Sequence, residues 1–495
     1  MTTFCPFWIL RSKTACLLIT VLTLLGRTKI IHAAPFSIQG PGVHASDFRI
    51  TTFAAGLDYP LGMAQLSDGS LLIAVSEGMS FWTSTGKLIR LVDADRDGIA
   101  DGPGTVLFPG LPGGQTSLRI GGNLIFVTGQ GQGKPISILR AGAAPGDPLT
   151  LVGKIIISYP SGSWLHPHSA LGIRATPGLP GSYDLFFQLG SDRNFATTTQ
   201  TATITNENIA GVSGTLKGDS IYMLTVTDHT TSVTASNPTR IASGLRNPAG
   251  FAFHQVTGDL YFEDNGIDGF VDPNEPTSAD ELNRIPAAEI GGTTVEDFGF
   301  PTNYTAYRSG TVVGGAGVQP LVAFQPLPDP MTGSESEGPN DIAFAPSSFP
   351  DGLNNGIFVG FHGKFNLGGR TNEENPLVYV DLATFTYFHF IGNDEPNVGH
   401  LDGLLATEDS LFVADLASNG NLSNGGGFGM IYQIKSLARP SLSYRRINNT
   451  LELTWTRGVL QEADGVSETW KDLLTAASPY SIDLDRPRKF YRTKN

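Results

Sequence analysis

Six stretches of the chain share one pattern of apolar and polar positions: a small or apolar opening, a Gly, Asp or Asn turn, then an apolar run that stops in polar residues. They read GMAQLSDGSLLIAV from Gly62, SLRIGGNLIFVTG from Ser117, ALGIRATPGLPGSYDLFFQLG from Ala170, GFAFHQVTGDLYFEDNG from Gly250, DIAFAPSSFPDGLNNGIFVGFHG from Asp341 and GLLATEDSLFVAD from Gly403. Each predicts a β-hairpin, with Asp68-Gly69, Gly122-Asn123 and Gly258-Asp259 as turns between runs of Ile, Val, Leu and Phe. The copies begin 55, 53, 80, 91 and 62 residues apart. That spacing is longer and less regular than helical solenoid repeats and fits four-stranded propeller blades carrying loop insertions. Six copies predict an all-β, six-bladed β-propeller.

The repeats fill residues 45–436 and end in the apolar run Met430 to Ile434. After Arg439-Pro440 the pattern changes: LELTW from Leu451, Trp470 and KFYR from Lys489 alternate apolar with polar residues and predict a small appended β module over 440–495. Its LTWTRGVLQEAD, Trp470 and Ser478-Pro479-Tyr480 resemble the short C-terminal segment of many secreted bacterial proteins, with Trp455 and Trp470 expected in the core. At the other end, Arg11 and Lys13 precede an apolar stretch from Cys16 to Gly26, and Ala33 and Ala34 follow. Residues 1–33 therefore read as a secretory signal peptide, cleaved after Ala33, which places the mature chain outside the cell or in the periplasm. An uncleaved anchor is the competing reading, but the stretch is shorter than the roughly 20 residues a spanning helix needs. No membrane span is expected in the mature chain.

Removing that segment changes the candidate chemistry. Both cysteines, Cys5 and Cys16, lie within it, which excludes thiol catalysis, thiol ligands and disulfides from the mature chain. It also holds four basic residues and no acidic one, so the formal charge goes from −14 to −18. Such an acidic surface argues against nucleic acid or anionic membrane as partner and is compatible with divalent cations and neutral sugars.

In a propeller the loops at one end of the inner hairpins converge over the central channel. The residues after each second apolar run are candidates for a polar mouth: Ser76-Glu77, Thr128-Gly129, Gly190-Ser191-Asp192, Glu263 to Gly266, His362-Gly363-Lys364 and Asp415. Histidines stand out at His166 and His168, at His362 and at His400. An imidazole there serves as a proton acceptor for oxidation of a hydroxyl carbon, or as a metal ligand. Two carboxylate groups read as cation sites. Asp93, Asp95, Asp97 and Asp101, around Gly98, space oxygens on alternate residues as in the first half of a calcium loop; Thr105 at the twelfth position points to a β-loop site rather than a helix-loop-helix one. Asp264, Asp268, Asp272, Glu275, Asp280 and Glu281 form the second, in a Gly- and Pro-broken loop.

GLRNPAGFAF from Gly244, TGDLYFEDNG and SADELNRI resemble the Gly-x-Arg-Asn-Pro and Asp-Glu-Leu-Asn signatures of the glucose/sorbosone dehydrogenase family, and GLDYPLGMAQLSDGSLLIAV resembles its first blade. The resemblance extends over residues 50–436. It implies a six-bladed quinoprotein using pyrroloquinoline quinone (PQQ) and calcium to oxidise a sugar or related alcohol, with an external electron acceptor. It implies His166 as the catalytic base, from the spacing of His166 to Leu171, with His168 as rival. It places Arg246, Asn247, Lys364 and Asp402 around the cofactor, and sets Gly266 and Ile267 where family members have a Gly-Pro whose carbonyls bind calcium. A non-catalytic carbohydrate-binding propeller and a calcium-dependent lactonase-type hydrolase remain as alternatives.

Overall fold

The computed structural model describes residues 34–495 except 83–84, 161–163, 271–274, 328, 330, 332–337, 365, 372–374, 438–441, 456–458, 486–488 and 495. The expected signal segment 1–33, and Asp272 of the second acidic group, lie outside these residues. No described helix is long and apolar enough to cross a membrane.

All six repeated phrases form the inner hairpins of six sheets. The innermost strands are Met63–Gln65, Gln115–Gly121, Leu171–Ala175, Pro248–Phe253, Pro339–Phe344 and Gly403–Ala406. Their second strands are Leu71–Glu77, Leu124–Gly129, Ser182–Leu189, Leu260–Asp264, Gly356–Phe361 and Ser410–Asp415, each antiparallel to its partner. Each innermost strand packs on that of the next sheet, and the sixth returns to the first, so the sheets close a six-bladed propeller. Blades two and three are widened by extra strands.

The second strands explain the apolar runs. In Leu71–Glu77 every residue but the last is buried, because both faces of a blade are covered. Leu72 and Ala74 pack with Leu118 and Ile125 of the second blade, while Leu71, Ile73 and Val75 pack with Phe412 and Ala414 of the sixth. Every interface between neighbouring blades is filled by a core of this kind. Alternation along a strand therefore sorts side chains between two neighbours rather than between core and water.

The last blade is completed from the front of the chain. Phe48–Leu57 lies antiparallel to Gly429–Ser436, with Phe48 opposite Ser436 and Leu57 opposite Gly429. The repeat pattern gave no sign of this strand.

Beyond the propeller, six short strands from Leu442–Ile447 to Phe490–Lys494 make two three-stranded sheets. Leu453, Trp455 and Leu460 form their core. Trp470 is only half-buried and is covered by the Arg492 guanidinium, 4.2 Å from the ring centroid.

Candidate functional site

The blade loops enclose a cavity of about 650 Å³. Its walls include His166, Arg246, Asn247, Gly266, Asp268, Asp280, His362, Lys364 and Asp402, so residues distant in sequence from the third to the sixth blade meet in one place. Phe81, Trp82, Leu165, Leu367, Leu416 and Leu422 add apolar wall.

His166 is held from both sides. Its backbone N–H donates to Ser191 O at 3.0 Å, and the Ser191 N–H donates to Arg246 O at 2.7 Å. Gly190 makes this approach feasible: a Cβ there would lie 2.5 Å from Arg246 O and 2.8 Å from His166 Cβ. The Ser191 hydroxyl donates its proton to Arg193 O at 2.5 Å, so at 3.0 Å from His166 Nδ1 it acts as acceptor. Nδ1 therefore carries the hydrogen and Nε2 keeps its lone pair. Burial, with the Arg246 charge nearby, pushes the imidazole down to about 2, so this tautomer is uncharged at neutral pH.

His168 is a different case. The Tyr159 hydroxyl accepts the His168 backbone N–H at 2.8 Å and lies 2.6 Å from Nδ1, while Nε2 lies 2.7 Å from Lys134 O. The carbonyl fixes Nε2–H, and the tyrosine donates to Nδ1. Both nitrogens are committed, and the ring is 1% exposed and does not line the cavity. His168 is thus held within the fold by both ring nitrogens, whereas His166 lines the cavity.

Arg246 is almost completely buried. It donates from Nε and Nη2 to Asn194 Oδ1, from Nη1 to Asn265 O, and pairs with Asp268 Oδ2 at 2.7 Å. Asp268, expected as a cation ligand of the second acidic group, is instead the ion-pair partner of Arg246. Its loop is tied to the 191–195 loop by reciprocal bonds, Asp268 N–H to Asn194 Oδ1 and Asn194 Nδ2 to Asp268 O.

The candidate metal residues separate. Asp264 does not face the cavity: its two oxygens accept the backbone N–H groups of Arg246 and Asn247 at 2.9 and 2.6 Å. Asp415 does the same for Gly399 and His400, both at 2.9 Å. In both, an acid at the end of a second strand clamps the loop that enters the innermost strand of its own blade. Burial raises each to about 7. These polar strand ends are clamps, not members of the mouth. Ser76 plays a related part, its hydroxyl accepting the Gln115 N–H at 3.0 Å.

Glu281 also lies outside the cavity lining, where its Oε2 accepts Asn283 Nδ2 at 3.3 Å; burial, reinforced by Asp264, raises it to about 8. Ile267 corrects the expectation of paired cation-binding carbonyls. Its side chain is 1% exposed and its carbonyl accepts the N–H groups of Thr277 and Ser278 at 2.7 and 3.3 Å. Gly266 lines the cavity, and its carbonyl accepts no hydrogen bond from the described residues. Asp280 lines the cavity beside it, accepting Gly266 N–H at 2.7 Å and Gly338 N–H at 3.1 Å, and burial raises it to about 7.

Asp93, Asp95 and Asp97 sit elsewhere, in the loop between Thr85–Leu91 and Thr105–Pro112 at the outer side of the first blade. A carboxylate oxygen from each lies within 4.8 Å of the others. Asp101 is not in that group and accepts the Ala94 N–H at 2.7 Å.

No family model matches the chain. An uncharacterized protein of Borreliella burgdorferi is 26% identical over 195 residues, which is 36% of this chain and 46% of that protein, so the match spans less than half of the relative. Among solved structures, the calcium structure of a Trichoderma reesei carbohydrate-active enzyme of family AA12 superposes with a TM-score of 0.52 at 15% identity, covering 82% of this chain and 99% of that one. The iodide structure of the same family from that organism gives 0.51 at 15% identity with the same coverage. At this identity the likeness is one of fold: the chain has the architecture of these carbohydrate-active propellers.

Proposed function

We propose that the chain is a calcium-dependent quinoprotein dehydrogenase that oxidises a hydroxyl carbon of a sugar or related alcohol, secreted or periplasmic, with an external electron acceptor. The observation that carries this reading is the pinned His166 tautomer, which presents an unprotonated Nε2 at a cavity wall next to the buried Arg246.

The lining tests the fit of the cofactor. Arg246 and Lys364 face three carboxylates, Asp268, Asp280 and Asp402, and Arg246 is already paired with Asp268. A tricarboxylate quinone alone meets a wall with a surplus of negative charge. A divalent cation reverses the balance, and the Gly266 carbonyl with the Asp280 carboxylate is the oxygen donor set for it. The residues thus fit PQQ together with a cation. Arg246, Asn247 and Lys364 would hold the quinone, which supplies the two-electron acceptor. His166 Nε2 accepts the hydrogen bond of the substrate hydroxyl and draws on its proton. Trp82 and Leu165, on the wall, restrict water around the reacting carbon. Asp93, Asp95 and Asp97 are proposed as a separate structural calcium site.

The test is titration of the purified chain with PQQ and calcium, followed by absorption and by reduction of an artificial acceptor across a sugar panel. Calcium-dependent binding and sugar-dependent bleaching are expected; neither, over the whole panel, rejects the reading. The carboxylate surplus favours one second reading, a cation working without quinone as in a lactonase. Lactone hydrolysis that needs calcium and is indifferent to PQQ would establish it.

A further inference from the structure

The cavity wall is divided by chemistry. Over the third, fourth and fifth blades it carries His166, Arg246, Asn247, Asp268, Asp280 and Lys364. Asp402, from the loop entering the sixth blade, belongs to the same side, its buried carboxylate 2.8 Å from His362 Nδ1. The first blade and the far loop of the sixth supply Phe81, Trp82, Leu416 and Leu422, and no described charged or amide side chain of these two segments lines the cavity. Blades one and six stand across the ring from blades four and three, so the apolar flank faces the blades that bear Arg246 and His166.

The apolar flank is braced from behind. Tyr59 is 0% exposed, and its hydroxyl donates to Met79 O at 2.5 Å and accepts the Gly425 N–H at 2.7 Å, which joins the loop before Trp82 to the loop after Leu422. The Phe81 N–H donates to Leu422 O at 2.9 Å. Its ring packs edge-on against Tyr59 and Trp82, with centroids 5.8 and 4.9 Å away. Phe81, Leu416 and Leu422 are buried with Tyr59 in one core cluster. Trp82 is outside that cluster and is 44% exposed while lining the cavity, and Leu165, next to His166, is 46% exposed on the same wall. A single exposed apolar side chain on an outer surface needs no explanation. Trp82 is open to a molecule in the cavity, is held from behind, and continues the wall that carries His166.

A substrate hydroxyl set against Phe81, Leu416 or Leu422 gives up water without gaining a partner, whereas an aryl or alkyl group set there gains by leaving water and by ring contact with Trp82. Building on the dehydrogenase reading above, on which the placing of the reacting hydroxyl at His166 rests, we propose that the substrate is a two-faced molecule, a sugar carrying an apolar aglycone, and that Trp82 binds the aglycone. The hydroxylated ring lies on the charged flank, where His166 meets the reacting hydroxyl. The aglycone crosses the cavity to the first blade and packs on the indole. Trp82 is therefore a specificity-determining residue, and it acts through contact with the part of the substrate that does not react.

The experiment uses the full chain and matched phenyl and methyl glycosides of glucose, galactose and mannose. In the first arm, calorimetry on the calcium-loaded, quinone-free protein compares the two members of each pair. The phenyl member is expected to bind at least about tenfold more tightly in at least one pair, with a change in tryptophan fluorescence. Trp82→Ala is expected to abolish this preference and Trp82→Phe to retain most of it. Equal binding within every pair, or a preference that Trp82→Ala leaves in place, overturns the proposal. So does a loss of PQQ affinity in Trp82→Ala, which would assign the indole to the quinone. In the second arm, kcat/KM of the quinone- and calcium-loaded protein is expected to show the same preference and the same dependence on Trp82. Quinone-dependent turnover that does not favour the phenyl members rejects this subsite alone. Tighter binding of phenyl members with no quinone-dependent turnover of any sugar rejects the dehydrogenase reading and leaves the aglycone subsite standing.

Discussion

Arg119 Nη2 and Asp341 Oδ1 meet at 2.9 Å, joining the innermost strands of the second and fifth blades, which stand opposite each other in the ring. The pair spans the centre of the propeller, and Asp341 also accepts the N–H groups of Ile342 and Leu404. Removing the arginine leaves a buried carboxylate without its counter-charge. Arg119→Ala is expected to cost about 3 kcal/mol, read as a lower urea midpoint at neutral pH. Arg119→Ala with Asp341→Asn should recover part of that loss, and no recovery would show that the pair is not coupled.

His166→Ala is expected to reduce kcat by at least about 10²-fold while calcium affinity, measured by calorimetry, stays unchanged. Equal loss of calcium binding would mean that His166 shapes the cation site instead of serving the substrate.

Gly190→Ala tests the scaffold behind that histidine. The added methyl group meets Arg246 O and His166 Cβ, so both residues must shift together. Activity is expected to fall well over tenfold with a cooperative thermal transition retained. Wild-type activity in this variant would show that the strand end tolerates displacement.

Asp415 links stability to pH. Burial raises it to about 7 in the folded chain, against about 3.9 in an unfolded one. Between those values the folded state binds the extra proton, so this contribution is present at pH 4 and lost as pH rises through 7. Asp415→Asn should lower stability overall, because a backbone N–H loses its acceptor, while flattening the slope of the melting temperature between pH 4 and 7. An unchanged slope would assign the ionisation elsewhere.

Asp280 orients Gly266 through the 2.7 Å hydrogen bond from the glycine N–H. Asp280→Asn is expected to weaken calcium-dependent PQQ binding about 10–100-fold, measured by absorption titration, and chelation of calcium should abolish binding in the wild type. Quinone binding that survives chelation would contradict the charge balance of the cavity wall.

The hairpins were legible because each carries both its turn and its apolar run in one short stretch, as in Gly62 to Val75. The closing strand Phe48–Leu57 was not, since its partner lies at the far end of the propeller and its own residues repeat nothing. At the site, the family resemblance around His166 and the Arg246-Asn247 pair pointed to residues that do line the cavity. Asp268, Ser191 and Asp402 could not be assigned their partners, because a hydrogen bond between blades leaves no periodic trace. Polar strand ends were overread for a simpler reason: Asp264 and Asp415 end their strands in the same way as His362, and only three-dimensional placement distinguishes a backbone clamp from a cavity wall. An alternative reading of the hairpins themselves would have helped. The start of each inner strand lies beside the end of the second, so Thr116, Ser169 and Asn340 reach the cavity as readily as the residues expected there.

The strand that completes the sixth blade makes the two ends of the propeller sequence one structural unit. A chain still emerging from synthesis has five blades with their own strands and a sixth lacking its last ones, so the loops that bear His166, Arg246 and His362 do not yet face a common space. If the proposed function holds, competence arrives with ring closure, and fragments ending before Gly429–Ser436 should retain β structure yet bind neither PQQ nor calcium.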